Sequence, residues 1–103
     1  MALRLTWSPA ARCDLREIFA YIAEDDRAAA GNFVRSVVRA VEHLPAFPES
    51  GRMVPEFGDP AIREVVRRPC RIVYRVNAGR GMVEIARLWH AARGIPEVPR
   101  CDN

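Results

Sequence analysis

The chain has 103 residues, the size of one compact domain, which excludes a two-domain enzyme with its own cofactor fold. Half of the residues are hydrophobic and 28% are charged, so the chain is too apolar to remain disordered. No apolar run approaches the roughly 20 residues of a membrane-spanning helix, and the first residues do not resemble a secretory signal. We therefore expect a cytoplasmic globular protein without a membrane partner.

Positive charge is distributed unevenly along the sequence. All 16 basic residues are arginines, against 13 acidic residues, and the formal net charge is +3. Residues 1–50 contain six arginines and seven acids, whereas residues 51–103 contain ten arginines and six acids. From Arg63 to Arg93, eight arginines stand against only Glu64 and Glu84. Such a segment favours an acidic partner, either a protein surface or nucleic-acid phosphates.

The cysteines and histidines indicate no cofactor. Cys13, Cys70 and Cys101 are odd in number and form no CxxC pair, which is typical of reduced thiols rather than of a disulfide framework. With two histidines in the chain, a metal site has little support. We expect no metal and no other cofactor.

The first half of the chain predicts one strand and two helices. Residues 2–7 alternate in polarity as a half-buried strand does, and Ser8 followed by proline is typical of a helix start. Apolar residues at helical spacing predict a first helix over Pro9–Ala23 and a second apolar stripe over Phe33–Leu44. Because only a short acidic turn separates them, the two helices should form an antiparallel hairpin.

The second half predicts a loop followed by three strands. Residues 45–60 contain four prolines and two glycines and predict a loop. Alternating runs at 62–67, 71–76 and 82–90 predict strands, and residues 77–81 predict a hairpin turn. The expected fold is α+β: an N-terminal strand, the helical hairpin, and a three-stranded antiparallel meander, with the helices on one face of the sheet. Residues 1–93 should form a single domain, followed by a C-terminal tail over 94–103.

Short motifs occur in a characteristic order between residues 3 and 93. They are Trp7-Ser8-Pro9-Ala10, Asp14-Leu15, Tyr21-Ile22-Ala23, Gly51-Arg52, Ile62-Arg63-Glu64, Arg71-Ile72-Val73-Tyr74-Arg75, and His90 with Arg93. In order and spacing they resemble the bacterial toxins of the RelE/ParE superfamily, in its ParE-type branch. The resemblance implies a helical hairpin beside a twisted sheet, in agreement with the elements predicted above.

The resemblance also implies a function. It implies the toxin of a type II toxin-antitoxin system, held inactive by a cognate ParD-like antitoxin in a hetero-oligomer. Toxins of the ParE branch act on DNA gyrase and trap it on broken DNA without being nucleases. The prediction is therefore a non-enzymatic gyrase poison that binds no nucleic acid sequence-specifically on its own.

Two alternatives remain open. In the first, the chain is a RelE-like ribosome-dependent endoribonuclease, with His90 as the titratable group and Arg71, Arg75 and Arg87 around the phosphate. Such enzymes generally use lysines, arginines and a late tyrosine or histidine, and this chain has no lysine and no tyrosine after Tyr74. In the second, it is a degenerate toxin that survives as an antitoxin-binding module.

Alternation along the predicted strands suggests where partners bind. Ile72 and Tyr74 should point to the core, while Arg71 and Arg75 point to the face opposite the helices. The resemblance implies that the C-terminal segment is important for toxicity. The residues expected to contact the target or the antitoxin are Arg63, Arg71, Arg75, Arg87, Arg93 and Ile95.

Overall fold

The structure, a computed structural model, describes residues 3–90. The strands are β1 (Arg4–Trp7), β2 (Arg52–Met53), β3 (Ile62–Arg67), β4 (Cys70–Asn77) and β5 (Met82–His90), and the helices are α1 (Pro9–Ala23) and α2 (Arg27–Val41). They form one five-stranded sheet in the order β1-β5-β4-β3-β2. β1 runs parallel to β5, and the other neighbours are antiparallel. The α+β fold and the β3-β4-β5 meander are confirmed.

Each helix begins at a side-chain cap. The Ser8 hydroxyl accepts a hydrogen bond from the Ala11 N–H at 3.0 Å, and the Asp26 carboxylate accepts one from the Ala29 N–H at 3.0 Å. The start and end of α1 agree with the prediction, whereas α2 ends at Val41, earlier than the apolar stripe suggested. Leu44 is still fully buried, because the turn that follows α2 returns it to the core. Within residues 3–90, neither helix is long and apolar enough to cross a membrane.

The segment predicted as a loop contains the short strand β2, which corrects the sequence-based expectation. Arg52 pairs with Glu64 and Met53 with Arg63. Two residues carry no periodicity, so only the pairing with β3 defines this strand. Nearby, the buried Tyr74 hydroxyl accepts a hydrogen bond from the Gly51 N–H at 2.9 Å and donates one to the Pro48 carbonyl at 2.7 Å. These two bonds hold the segment before β2 against the sheet.

The core lies between the helices and one face of the sheet. Its buried members are Ala11, Val37, Val41, Leu44, Ile72, Tyr74, Val83, Ile85 and Leu88, with Leu3, Leu5 and Trp7 packed against them. Cys70 is also buried, and burial raises the pKa of its thiol.

A β-bulge in β5 decides which face its last residues occupy. Tyr74 pairs with Ile85, but the preceding Val73 pairs with Arg87, so Ala86 is an extra residue in β5. Without the bulge, strict alternation would place Arg87 on the core face with Ile85. The bulge instead places Leu88 in the core and Arg87 on the opposite side of the sheet.

Candidate functional site

The face of the sheet opposite the helices, called the outer face below, carries most of the arginines that the sequence singled out. Strand register places on it the side chains of Arg52, Glu64, Arg71, Val73, Arg75, Glu84, Arg87 and Trp89. Arg71 and Arg75 therefore lie on the face that the alternation predicts. Their side chains are only 15% and 17% exposed, so the partners of their charges determine what this face can bind.

Glu64 is the centre of an ion-pair network on the outer face. Its buried carboxylate accepts hydrogen bonds from Arg52 Nε at 2.5 Å and from Arg71 Nε at 2.5 Å. The terminal nitrogens of Arg71 donate to the two carboxylate oxygens of Glu56 at 3.0 and 3.2 Å. Hydrogen bonding to Arg71 holds the pKa of Glu56 below its ordinary value, and the bonds to Glu56 and Glu64 raise the pKa of Arg71. Two carboxylates thus balance two guanidinium groups.

Two further arginines of the outer face have acidic partners. Arg75 and Glu84 are opposite each other on β4 and β5, with Nη1 and Oε1 3.6 Å apart. Arg87 donates from Nε and Nη2 to the two carboxylate oxygens of Asp14 on α1, at 2.7 and 3.0 Å. Its guanidinium carbon also lies 4.8 Å from the centre of the Trp89 ring, a cation–π distance. Every one of these arginines is therefore neutralised locally.

Arg63 lies on the helix-facing side, opposite Tyr74. Its Nε donates to the Pro60 carbonyl and its Nη1 to the Gly51 carbonyl, each at 3.0 Å. Among residues 3–90, no carboxylate forms an ion pair with it. Arg63 therefore uses two donors to hold the chain around β2 and keeps its net charge.

His90 does not join the arginines. It pairs with Cys70, whereas Arg71, one residue further along β4, points to the outer face. His90 lines a groove of about 370 Å³ between α1 and the end of β5, together with Asp14, Glu17, Ile18, Tyr21, Ile22, Pro69 and Leu88. The structure thus places His90 on one side of the sheet and Arg71 and Arg75 on the other, whereas the Arg87 guanidinium reaches Asp14, which also lines this groove. Arg93 and Ile95 lie outside the described residues.

The sequence analysis did not predict which acids pair with these arginines. Glu64 could have been found, since it is one of two acids in the arginine-rich segment and alternation places it on the outer face. Asp14 could not, because 73 positions separate it from Arg87 and only the packing of α1 against β5 joins them. In the described part of the chain, no three His, Cys, Asp or Glu residues are grouped closely enough to hold a metal ion.

Comparison with known proteins identifies the family. Residues 5–95 match the family described as the ParE toxin of the type II toxin-antitoxin system, parDE. Over 97 residues the chain is 36% identical to Y4kP of Sinorhizobium fredii, whose name describes it as an inferred toxin. The match covers 92% of this chain and 95% of Y4kP.

Solved structures agree on the fold. The chromosomal ParDE system from P. aeruginosa has a TM-score of 0.70 at 24% identity, over 86% of this chain and 96% of the other. A mutant of the E. coli toxin RelE in the free state has a TM-score of 0.60 at 16% identity, over 91% and 88% of the two chains. The family match and the Y4kP relative together show that the chain belongs to the ParE toxin family of type II toxin-antitoxin systems.

Proposed function

We propose that this chain is a non-enzymatic toxin that traps DNA gyrase on broken DNA and is held inactive by a ParD-like antitoxin. Membership of the ParE toxin family supports the toxin role. The gyrase target is the one implied by the resemblance to the ParE-type branch. The complex with the antitoxin is a hetero-oligomer, and the toxin acts in the cytoplasm, where gyrase is found.

The local neutralisation of the outer-face arginines is the observation that most supports binding rather than RNA cleavage. Cutting RNA without a metal requires a base for the 2′-hydroxyl, an acid for the leaving oxygen, and cations for the phosphate in the transition state. Arg71, Arg75 and Arg87 each have a carboxylate partner. A phosphate at this face would have to displace the carboxylates that accept hydrogen bonds from Arg71 and Arg87.

The position of His90 supports the same proposal. An endoribonuclease site would need the imidazole and the phosphate-binding arginines to converge on one phosphodiester. Here Arg71 and Arg75 lie on the opposite side of the sheet from His90, and the Arg87 guanidinium is held by Asp14. His90 is accordingly dispensable for the proposed activity.

We further propose that contacts to gyrase or to the antitoxin are made by Arg63, Arg71, Arg75, Arg87, Arg93 and Ile95. The side chains of Arg71, Arg75 and Arg87 stay 15–17% exposed within their ion pairs, so a partner can contact them without displacing the intramolecular carboxylates. For the C-terminal segment, deletion of residues 94–103 tests the role directly. Loss of toxicity with antitoxin binding intact is the expected result, and retained toxicity would exclude a target contact in that segment.

Induction of the chain in a bacterial host tests the proposal in cells. Induced alone, the chain should stop growth and cause chromosomal breaks while message 5′ ends remain unchanged. Co-expression with the antitoxin encoded beside it should restore growth. New message ends within ribosome-bound codons would instead indicate the endoribonuclease. Normal growth with folded, antitoxin-binding protein would indicate the degenerate module, and both of these results contradict the proposal.

A further inference from the structure

A second basic surface lies away from the outer face, in a shallow groove between α2 and the end of β3. The groove has a volume of about 610 Å³ and is lined by Asn32, Arg35, Ser36, Arg39, Ala40 and Arg67. It shares no lining residue with the outer face or with the groove beside His90. We call it the α2 groove.

The charge of the α2 groove is not neutralised. None of its lining residues is acidic, and in the described part of the chain Arg35, Arg39 and Arg67 form no ion pair with a carboxylate. All three arginines are exposed. The outer face differs, because its arginines each have an acid in contact. The α2 groove therefore keeps three guanidinium charges available for a ligand.

The floor of the α2 groove consists of small side chains, and the one hydroxyl among them already has a hydrogen-bond partner. Ser36 and Ala40 are small, half-buried and four residues apart. The Ser36 hydroxyl donates to the Phe33 carbonyl at 2.6 Å, so a ligand need not satisfy it. Arg35 Nη2 donates to Asn32 Oδ1 at 2.5 Å, which orients one guanidinium along the helix. Small side chains between basic ones allow another helix to approach closely.

The spacing of Arg35 and Arg39, together with Arg67 across the groove, fits a ligand with carboxylates at helical spacing. Arg35 and Arg39 are one helical turn apart, about 6 Å along the axis of α2, and Arg67 stands across the floor on β3. A partner helix with carboxylates four residues apart repeats the same rise, so two acids can meet two guanidinium groups, each in a bidentate pair. No aromatic ring lines the groove within the described residues, whereas single-stranded nucleic acid is bound largely by stacking on such rings.

We propose that the α2 groove is a docking site for an acidic helix of a partner protein, with carboxylates at four-residue spacing opposite Arg35 and Arg39. The groove supplies electrostatic complementarity at its rim and close approach at its floor. This inference does not depend on gyrase as the target, since it concerns a surface separate from the one discussed above.

The test uses isotope-labelled chain and a synthetic alanine-based helical peptide that carries glutamates every four residues. Amide shifts on titration should fall on residues 32–40 and on Arg67. The double variant Arg35→Glu with Arg39→Glu should bind at least about tenfold more weakly. The matched control is Arg12→Glu with Arg16→Glu, an exposed pair of the same spacing on α1, and it should bind within about twofold of the unchanged chain.

Three results would overturn the proposal. The first is equal weakening in the two double variants, which would indicate non-specific attraction. The second is equal binding of a peptide with glutamine in place of glutamate. The third is that amide shifts in the α2 groove appear with a short DNA duplex, depend on the arginine charges, and do not appear with the acidic peptide. The groove would then be a phosphate-binding site. If charge reversal prevents folding, Arg35→Gln with Arg39→Gln removes the charges without inverting them and is held to the same criterion.

Discussion

Asp14 and Arg87 are 73 positions apart in the sequence, yet they form a two-point ion pair with N···O distances of 2.7 and 3.0 Å. The same carboxylate accepts the Leu88 N–H at 3.1 Å. β1 pairs with β5 only as far as Trp7 and Ile85. Beyond that point the Asp14 side chain of α1, rather than a neighbouring strand, accepts a hydrogen bond from the β5 backbone. Asp14 thus stabilises the part of β5 that carries Arg87, Trp89 and His90.

Replacing Asp14 should destabilise the fold strongly. Asp14→Ala removes the acceptor of the Leu88 N–H and of the Arg87 guanidinium. The Asp14 side chain is only 6% exposed, so water cannot readily replace it as the acceptor. We expect a loss of about 2–4 kcal/mol in the free energy of unfolding, measured by urea denaturation. Asp25→Ala, at an exposed turn position, is the control and should change stability by less than about 0.5 kcal/mol. Equal effects would mean that the pair is not structural.

Gly51 should tolerate no side chain. A Cβ built there would lie 2.5 Å from Tyr74 Oη and 2.6 Å from the Glu64 carbonyl oxygen, so Gly51→Ala must move backbone or break the Tyr74 hydrogen bonds. The expected loss is about 1–3 kcal/mol. Gly79→Ala is the matched control, because its Cβ would meet only Asn77 Oδ1, at 3.6 Å. The midpoint of thermal unfolding should fall further for Gly51→Ala than for Gly79→Ala. An equal fall in the two variants would contradict the expected clash at Gly51.

The buried Tyr74 should ionise at a higher pH in the folded chain than in the unfolded chain. Burial raises the pKa of Tyr74 above its ordinary value of 10.0. In a Tyr21→Phe variant, the ultraviolet signal of tyrosinate should therefore appear at higher pH in the folded chain than in urea. Because the folded state holds the proton more tightly, this contribution to stability is complete below pH 10. It is lost as the pH rises from there through the folded-state pKa. Coincident folded and unfolded titrations would be the contrary result.

His90→Ala should leave toxicity intact. The proposal assigns His90 no contact with a reacting group, so growth inhibition on induction should stay within about twofold of the unchanged chain. A general acid or base contributes at least about a hundredfold to a rate, so a catalytic His90 would make this variant harmless. Antitoxin binding by the variant, measured in parallel, verifies that it folds.

Local pattern predicted most of the fold. The Ser8-Pro9 start, the apolar stripes and the turn before Gly81, which adopts a positive φ of 66°, each depend on neighbours in sequence. The strand β2 and the bulge at Ala86 do not depend on neighbours in sequence. The first is two residues long, and the second is defined only by the register between β4 and β5.

The candidate site was less predictable than the fold. Alternation placed Arg71 and Arg75 on the outer face, but it could not show that their charges are neutralised. The partners come from a loop in the case of Glu56, from a neighbouring strand in the case of Glu84, and from a helix in the case of Asp14. A count of charges along the sequence therefore overstated how basic this face is.

The most direct test of the central claim is a gyrase supercoiling and cleavage assay with purified chain, run in parallel with a translation reaction that reports cut message. The account predicts that cleaved DNA accumulates only when gyrase is present, that antitoxin prevents it, and that message stays intact. Cut message with normal gyrase activity would contradict it, because the ion-paired arginines and the position of His90 would then have to be compatible with catalysis.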